Sequence, residues 1–469
     1  MLKKVLILIL SCCFILSCKQ TNDIGKPIEH DCEVLKEYLQ DASIDVSLAI
    51  DDGLDIDNLI SNIKTEYLNY YVPLSKKNNT ESQDEKGIYR EAFSASIAWV
   101  LQNNLPIKNA HNGIIYKEKE KNTVYTKYTF ASDIYFELKE NEYYVISSNV
   151  NEINQGMKYT GDKKNIVKSI ENNKIVYRYV YFYEANIEEG KINIENVEYT
   201  IPVKFCVFRS DKEDIISYEI KNNNLFVTIN LCETRTEEQK KKYEDTVKQI
   251  SQEIFRTNNV IFDLRNNSGG YLNMLYPIID SLVLGPDYGK KENDCIELNA
   301  IINSGSKVLN TKTIRNTSLL SNNNNFLINH KDERYPVYNP SINNNFIPNY
   351  SGNIIVIQST GTCSAAEHFI AVLQYIFKNQ MTIIGQKSNG LLDFGGSLGY
   401  MLPDSKIKLN LSYIDQRSLL ILKENKKWHG DTEGFYPDYW YFSNDLNFLE
   451  LFLNENIKKD LQLDLEMIR

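Results

Sequence analysis

The sequence predicts an α/β protein built in several parts, and three observations carry that reading. Two short apolar runs, Val260-Ile-Phe262 and Ile354-Ile-Val-Ile357, each end in a polar turn. Such runs, bounded by turn signals, suit strands covered on both faces. Directly after the second run, apolar residues recur at helical spacing at Ala365, Phe369, Val372, Leu373 and Ile376. Finally, residues 112 to 232 read mostly as strands: Val124, Thr126, Tyr128 and Phe130 alternate, and Ile175 to Tyr183 is aromatic and β-branched.

The elements follow in order. Met1-Leu-Lys-Lys4 is a basic start, and Val5 to Ser17 is an apolar run shorter than the roughly 20 residues that span a bilayer. Residues 1–17 therefore read as a signal peptide. Leu16-Ser-Cys18 resembles a bacterial lipobox, which implies cleavage before Cys18 and lipidation of its thiol, with Cys12 as the alternative. The expectation is a lipoprotein of the cell envelope, anchored to the membrane outside the cytoplasm. Residues 18–30 read as a tether. Residues 31–110 read as helical, with Tyr89, Phe93, Ile97, Val100 and Leu101 on one face and a polar interruption from Lys76 to Lys86. Residues 111–224 form the β-rich region. Thr236 to Phe255 reads as a helix with Tyr243, Val247, Ile250 and Ile254 inward. It opens an α/β domain over 225–445, which carries an Asn- and Ser-rich insertion at 286–350. Residues 446–469 are expected to be a helical tail.

Composition narrows the function. The 469 residues carry a net charge of −10, which argues against a nucleic-acid partner. The five histidines are scattered and no Cys-x-x-Cys occurs, so no metal site is signalled. No glycine-rich phosphate loop is present, and no cofactor is expected. Besides Cys18, the mature chain would keep Cys32, Cys206, Cys232, Cys295 and Cys363. An odd, thinly spread set is not a disulfide framework, although one bridge such as Cys206–Cys232 is compatible with it.

The chemistry gathers at the two strand ends. Asn266 to Gly270 follow the charge pair of Asp263-Leu-Arg265 and offer backbone N–H groups unobstructed at Gly269 and Gly270. Glycine lets a backbone approach a ligand closely, and free N–H groups at a strand end can hold a developing oxyanion. Ser364 falls at the mouth of the second helix, where the helix N-terminus favours negative charge. By itself a serine there reads as an N-cap.

Taken together, Asp263-Leu-Arg-Asn-Asn-Ser-Gly-Gly270, Ser364-Ala-Ala-Glu367, Ile384-Gly-Gln-Lys-Ser-Asn-Gly390 and Gly434-Phe-Tyr-Pro-Asp438 resemble, in order, the landmarks of the S41 serine peptidases. That family includes the C-terminal processing proteases and the tricorn-like peptidases. The resemblance implies a crotonase/ClpP-like α/β core. It also implies Ser364 as nucleophile, with the N–H of Ala365 and of Gly269 or Gly270 as oxyanion donors. Processing proteases place a lysine base where this chain has Leu391, and leucine cannot accept a proton. The tricorn-like branch uses an upstream histidine. Lys108-Asn-Ala-His111-Asn-Gly113 resembles that segment and makes His111 the expected base, a role that imidazole suits near neutral pH. The orienting acid is expected a few residues before the Gly434 turn, as Asp431 first and Glu433 second. Asp438 is read as fixing its own turn. Glu367 is read as support for the serine turn, Cys363 as a small packed residue, and His368, one helical turn beyond Ser364, as a packing residue. His429 is read as structural or substrate-facing.

The function expected is peptide-bond hydrolysis of an extracytoplasmic peptide or protein. The alternatives are a non-catalytic peptide-binding lipoprotein on the same scaffold and an esterase.

Overall fold

The computed structural model describes residues 28–78, 85–106, 109–117, 120–123, 128–171, 174–183, 187–206, 208–211, 213–285, 307–308, 348–423 and 425–446. The expected signal peptide, Cys12, Cys18, most of the tether, Cys295, most of the 286–350 insertion and the tail from 447 onward lie outside these residues. So does the centre of the polar run Lys76–Lys86. The chain divides into two compact units, one holding residues up to 124 together with 394–416, the other holding most of the rest.

In the first unit four helices precede a sheet: α1 (28–42), α2 (Ile44–Asp51), α3 (Ile56–Asn78) and α4 (Glu85–Asn104). The α4 face expected from spacing is the buried one, with Phe93, Ile97 and Val100 inaccessible. These residues join Leu35, Leu39, Ile63 and Tyr67 from the other helices. The sheet brings together β1 (Gly113–Lys117), β2 (Glu120–Thr123), β13 (Lys307–Val308), β16 (Phe394–Met401) and β17 (Lys408–Asp415). Its centre is β17, antiparallel both to β16 and to β1. Leu409 and Leu411 of β17 complete the helical core.

The second unit is a mixed α/β structure around an eleven-stranded sheet among the described residues. Its centre is parallel. There β11 (Asn224–Ile229), β12 (Asn259–Asp263), β14 (Asn353–Gln358) and β15 (Met381–Gly385) lie side by side. Side chains alternate across a strand, so each apolar run serves two cores. Val260, Phe262, Ile354 and Val356 face α5 (Glu237–Glu253), α6 (Tyr276–Leu284) and α7 (Ala365–Phe377). Ile261, Ile355, Ile357 and Ile384 face the opposite layer with Phe208, Tyr439 and Tyr441. Phe369 of α7 stands edge-on to Phe262 at 5.1 Å, which fixes α7 on the strand that feeds the glycine loop. Tyr243, Val247 and Ile250 of α5 are buried as expected, and Thr236 caps that helix by accepting from Gln239 N–H at 3.1 Å.

The β-rich region continues the same sheet. Short β18 (Tyr439–Trp440) links β15 to β5 (Ile166–Glu171), followed by β6 (Lys174–Tyr183), β3 (Tyr128–Lys139) and β4 (Glu142–Ser147). β7 (Glu189–Ile194) and β8 (Val197–Pro202) form a separate hairpin, and β9 (Lys204–Phe205) pairs with β3. With β10 (Ile216–Lys221), which pairs with β11, three hairpins turn on two residues in the left-handed region: Glu140-Asn141, Glu195-Asn196 and Asn222-Asn223. Two successive positive φ values match the right-handed twist of the flanking strands.

A ladder of asparagine amides crosses the parallel strands at one end. Asn353 Nδ2 donates to Asn259 Oδ1 at 2.7 Å, and Asn259 Nδ2 donates to Asn224 Oδ1 at 2.6 Å. Asn259→Ala removes the middle rung and strips both neighbours of a partner. A loss of about 2–3 kcal/mol is expected, visible as a lower denaturant midpoint at unchanged slope.

Candidate active site

Four segments of the second unit interlock at the ends of the parallel strands. The first two are the expected pair. Thr362 Oγ1 donates to Leu264 O at 2.8 Å, Ser359 Oγ to Arg265 O at 2.6 Å, and Cys363 N–H to Asn267 O at 2.9 Å. Beneath them the Asp263–Arg265 pair is buried and bidentate, with Nε to Oδ1 at 2.9 Å and Nη2 to Oδ2 at 2.8 Å. The Arg265 guanidinium lies over the Phe208 ring at 4.6 Å.

The glycine loop is seated directly on the serine. A Cβ placed on Gly269 would stand 2.8 Å from Ser364 Cβ, 3.0 Å from Cys363 O and 3.4 Å from Ala365 N. With φ at +95° as well, only glycine fits. Ser364 is the N-cap of α7 and holds φ 52°, ψ −114°, a region that L-residues avoid and that recurs at functional turns. Ala365 is the first residue of α7, where N–H groups have no intrahelical acceptor.

The two glycines are not equivalent. Gly269 N–H donates to Asn267 Oδ1 at 2.9 Å, so of the two expected oxyanion donors this one already has an acceptor within the loop. Gly269 O accepts from Cys232 N–H at 2.9 Å, and Tyr271 N–H donates to Cys232 O at 2.6 Å. Because the N–H of a trans peptide points opposite to its carbonyl and Gly269 O faces Cys232, Gly270 N–H points away from Cys232. Cys232 is a buried free thiol, also close to Asn267 Oδ1, and burial pushes it up to about 12. Cys206 is free too. A Cys206–Cys232 bridge is therefore absent: Cys232 is held under the glycine loop, whereas the Cys206 thiol lies by Lys204 O on β9. The Cys363 thiol is directed at Gly361 O at 3.4 Å.

Glu367 ties the serine turn to the third segment, 386–393. Its buried carboxylate accepts from Ser364 N–H at 2.9 Å, Leu391 N–H at 2.8 Å, Gly390 N–H at 2.7 Å and Ser388 Oγ at 2.5 Å. Burial pushes its pKa up, opposed by those four donors. Leu391, at the position of the family's lysine, thus contributes its backbone to this network. Glu367 was expected to support the serine turn, whereas Ser388 escaped sequence reasoning.

The fourth segment, 428–435, carries the expected acids. Asp431 is buried, and its Oδ1 accepts from Leu392 and Asp393 N–H, both at 2.8 Å. Asp393 reciprocates: Oδ2 accepts from Asp431 N–H at 3.0 Å and Oδ1 from Trp428 Nε1 at 2.8 Å. Glu433 accepts from Tyr436 OH at 3.3 Å, and the His429 ring lies 4.2 Å from that of Tyr436. Asp438 accepts from Ile383 N–H at 2.8 Å and pairs with Lys427, anchoring the turn on β15.

His368 is buried, and its Nε2 has no partner among the described residues. Burial lowers its pKa from 6.5 to about 4. A folded-state pKa below the unfolded one means that stability is complete above about pH 6.5 and is lost as pH falls toward 4. The span corresponds to about 3 kcal/mol. His368→Phe is expected to flatten stability against pH over that window, measured by denaturant unfolding; an unchanged slope would show that other groups carry it.

His111 belongs to the first unit. Its loop is built on polar side chains. Asp45, buried, accepts from Ser43 Oγ at 2.6 Å and Asn112 Nδ2 at 2.9 Å. Asn112 Oδ1 accepts from Ser412 N–H at 3.0 Å. Asn109 Oδ1 accepts from His111 N–H at 3.0 Å, and His111 O accepts from Ser397 Oγ at 3.2 Å. The backbone that bears the imidazole is thus fixed from both sides.

Residues 226–438 match the family model of Peptidase family S41. This segment is an S41 peptidase domain. The match supports peptidase function, with proteins or peptides as the substrate class. Among curated proteins none matches the chain. Solved structures similar to it include mature CPAF complexed with lactacystin, at 12% identity and TM-score 0.37, covering 95% of this chain and 99% of that one. The photosystem II D1 C-terminal processing protease is similar at 9% identity and TM-score 0.37, covering 92% and 98%. A lipoprotein from Streptococcus agalactiae matches at 19% identity and TM-score 0.29, covering 52% and 70%.

Proposed function

We propose that the S41 domain hydrolyses extracytoplasmic peptides or proteins by acyl transfer through Ser364. The observation that carries this reading is the seat of Gly269 on Ser364 and Ala365, which sets a strained serine beside backbone donors. In the proposed reaction Ser364 Oγ attacks the peptide carbonyl. The N–H groups of Ala365 and Gly270 hold the oxyanion. The serine proton passes to a base and then to the leaving amine, and water repeats the cycle on the acyl-enzyme. His111 is assigned as the base and Asp431 as the acid that orients it, on motif order in the sequence. A lipid anchor at Cys18 is assigned on Leu16-Ser-Cys18 and would place the reaction in the cell envelope. Loss of metabolic lipid labelling in Cys18→Ser tests it.

The test of the chemistry is a fluorophosphonate probe on the purified protein, with the modified peptide mapped. Labelling at Ser364 that is lost in His111→Ala is the expected result. Labelling that survives in His111→Ala would remove the histidine from the mechanism. Absence of labelling in folded protein would favour a peptide-binding role instead.

A further inference from the structure

Lys387 lies four residues before Leu391, out of register with the family's lysine. In the folded chain it is one of the largest side chains that is fully buried. A buried ammonium group needs acceptors. Lys387 Nζ donates to Thr432 O at 3.0 Å and to Glu433 O at 3.2 Å. These two carbonyls belong to a loop in an unusual state. Gly430, Thr432 and Gly434 all have positive φ, at 94°, 75° and 74°. Glycine adopts such angles freely. Thr432 is β-branched, and for such a residue the left-handed region is a strained outlier. Asp431 lies between Gly430 and Thr432, and its Oδ1 meets Leu392 and Asp393 N–H only while the loop keeps this shape.

We propose that Lys387 is a positioning residue of the peptidase site: its buried cation draws the Thr432 and Glu433 carbonyls inward and so holds the strained loop that presents Asp431. This rests on the reading of Asp431 as the orienting acid. Lys387 itself transfers no proton in this scheme.

The test compares wild type, Lys387→Met, Thr432→Gly and the double variant on a peptide substrate, with kcat and KM separated and folding checked by thermal melting. Wild-type turnover is measured first, since its absence would refute the proposed function rather than the role of Lys387. Lys387→Met is expected to lower kcat about tenfold to a hundredfold with KM nearly constant. Thr432→Gly in the same chain is expected to restore much of that loss, because glycine holds the angle without the cation. A loss that Thr432→Gly does not rescue would overturn the proposal in favour of a direct chemical role. An unchanged kcat, or a change confined to KM, would overturn it as well. Should Lys387→Met fail to fold, Lys387→Gln, whose neutral amide can hold only part of this anchor, is expected to lower kcat less, again with rescue by Thr432→Gly, and an unrescued loss or an unchanged kcat would overturn the proposal. Failure of both to fold would make Lys387 a core residue and overturn the proposal.

Discussion

Ser364→Gly is expected to abolish hydrolysis and to raise the melting temperature above that of Ser364→Ala. Both variants remove the proposed nucleophile, so both should lose on the order of 10⁶ in kcat, as in serine hydrolases that lose theirs. They differ in the backbone. Ser364 sits at φ 52°, ψ −114°, and alanine keeps the Cβ that makes this conformation costly. Glycine removes it. Relief of about 1–3 kcal/mol of local strain, less the 0.5–1 kcal/mol by which glycine favours the unfolded chain, leaves a gain of roughly 1 kcal/mol for the glycine variant. Thermal melts of the two proteins decide the point. A glycine variant melting at or below the alanine variant would mean that the serine turn stores no strain, and the case for a built nucleophile elbow would weaken.

The largest loss of stability is expected from Glu367→Ala. Four donors converge on this carboxylate, and it is inaccessible to water. Removing it leaves the Ser364, Gly390 and Leu391 N–H groups and the Ser388 hydroxyl to find new partners inside the protein. Each unsatisfied group costs about 1–3 kcal/mol, and relaxation will recover part of the total. A net loss of about 3–5 kcal/mol is expected, together with loss of probe labelling at Ser364, because the same carboxylate fixes the serine N–H. Glu367→Gln keeps one acceptor oxygen and should fall between. A glutamine variant as stable as wild type would show that the charge is dispensable and that one oxygen suffices.

The pieces legible in the sequence are those with local signals. The buried runs at 260–262 and 354–357, the helix after Ser364 and the inward face of α5 each follow from composition and period. What was not legible depends on segments distant in sequence. The direction of Gly270 N–H is set by the bridge to Cys232. Lys387 carries no local signal of burial; its acceptors, Thr432 O and Glu433 O, come from loop 428–435. Asp393 looks like any acid before a strand, yet it accepts from Trp428 and from the Asp431 backbone. The asparagine ladder needs three strands in register before Asn224, Asn259 and Asn353 meet.

The pairing of β17 with β1 bears on how this protein can be cut. The family match runs from 226 to 438 and contains the whole β16–β17 hairpin. The strand that hydrogen-bonds to β17, however, is Gly113–Lys117, more than a hundred residues upstream of that match. A recombinant fragment trimmed to the family boundaries would expose the open edge of β17 and the apolar side chains Leu409 and Leu411 that pack on the helices. Unpaired edges of this kind recruit other chains. Such a fragment should precipitate or form oligomers, whereas one beginning near residue 28 should remain soluble. For this polypeptide the unit of heredity recognised by homology and the unit that can be handled in a test tube are different lengths of chain.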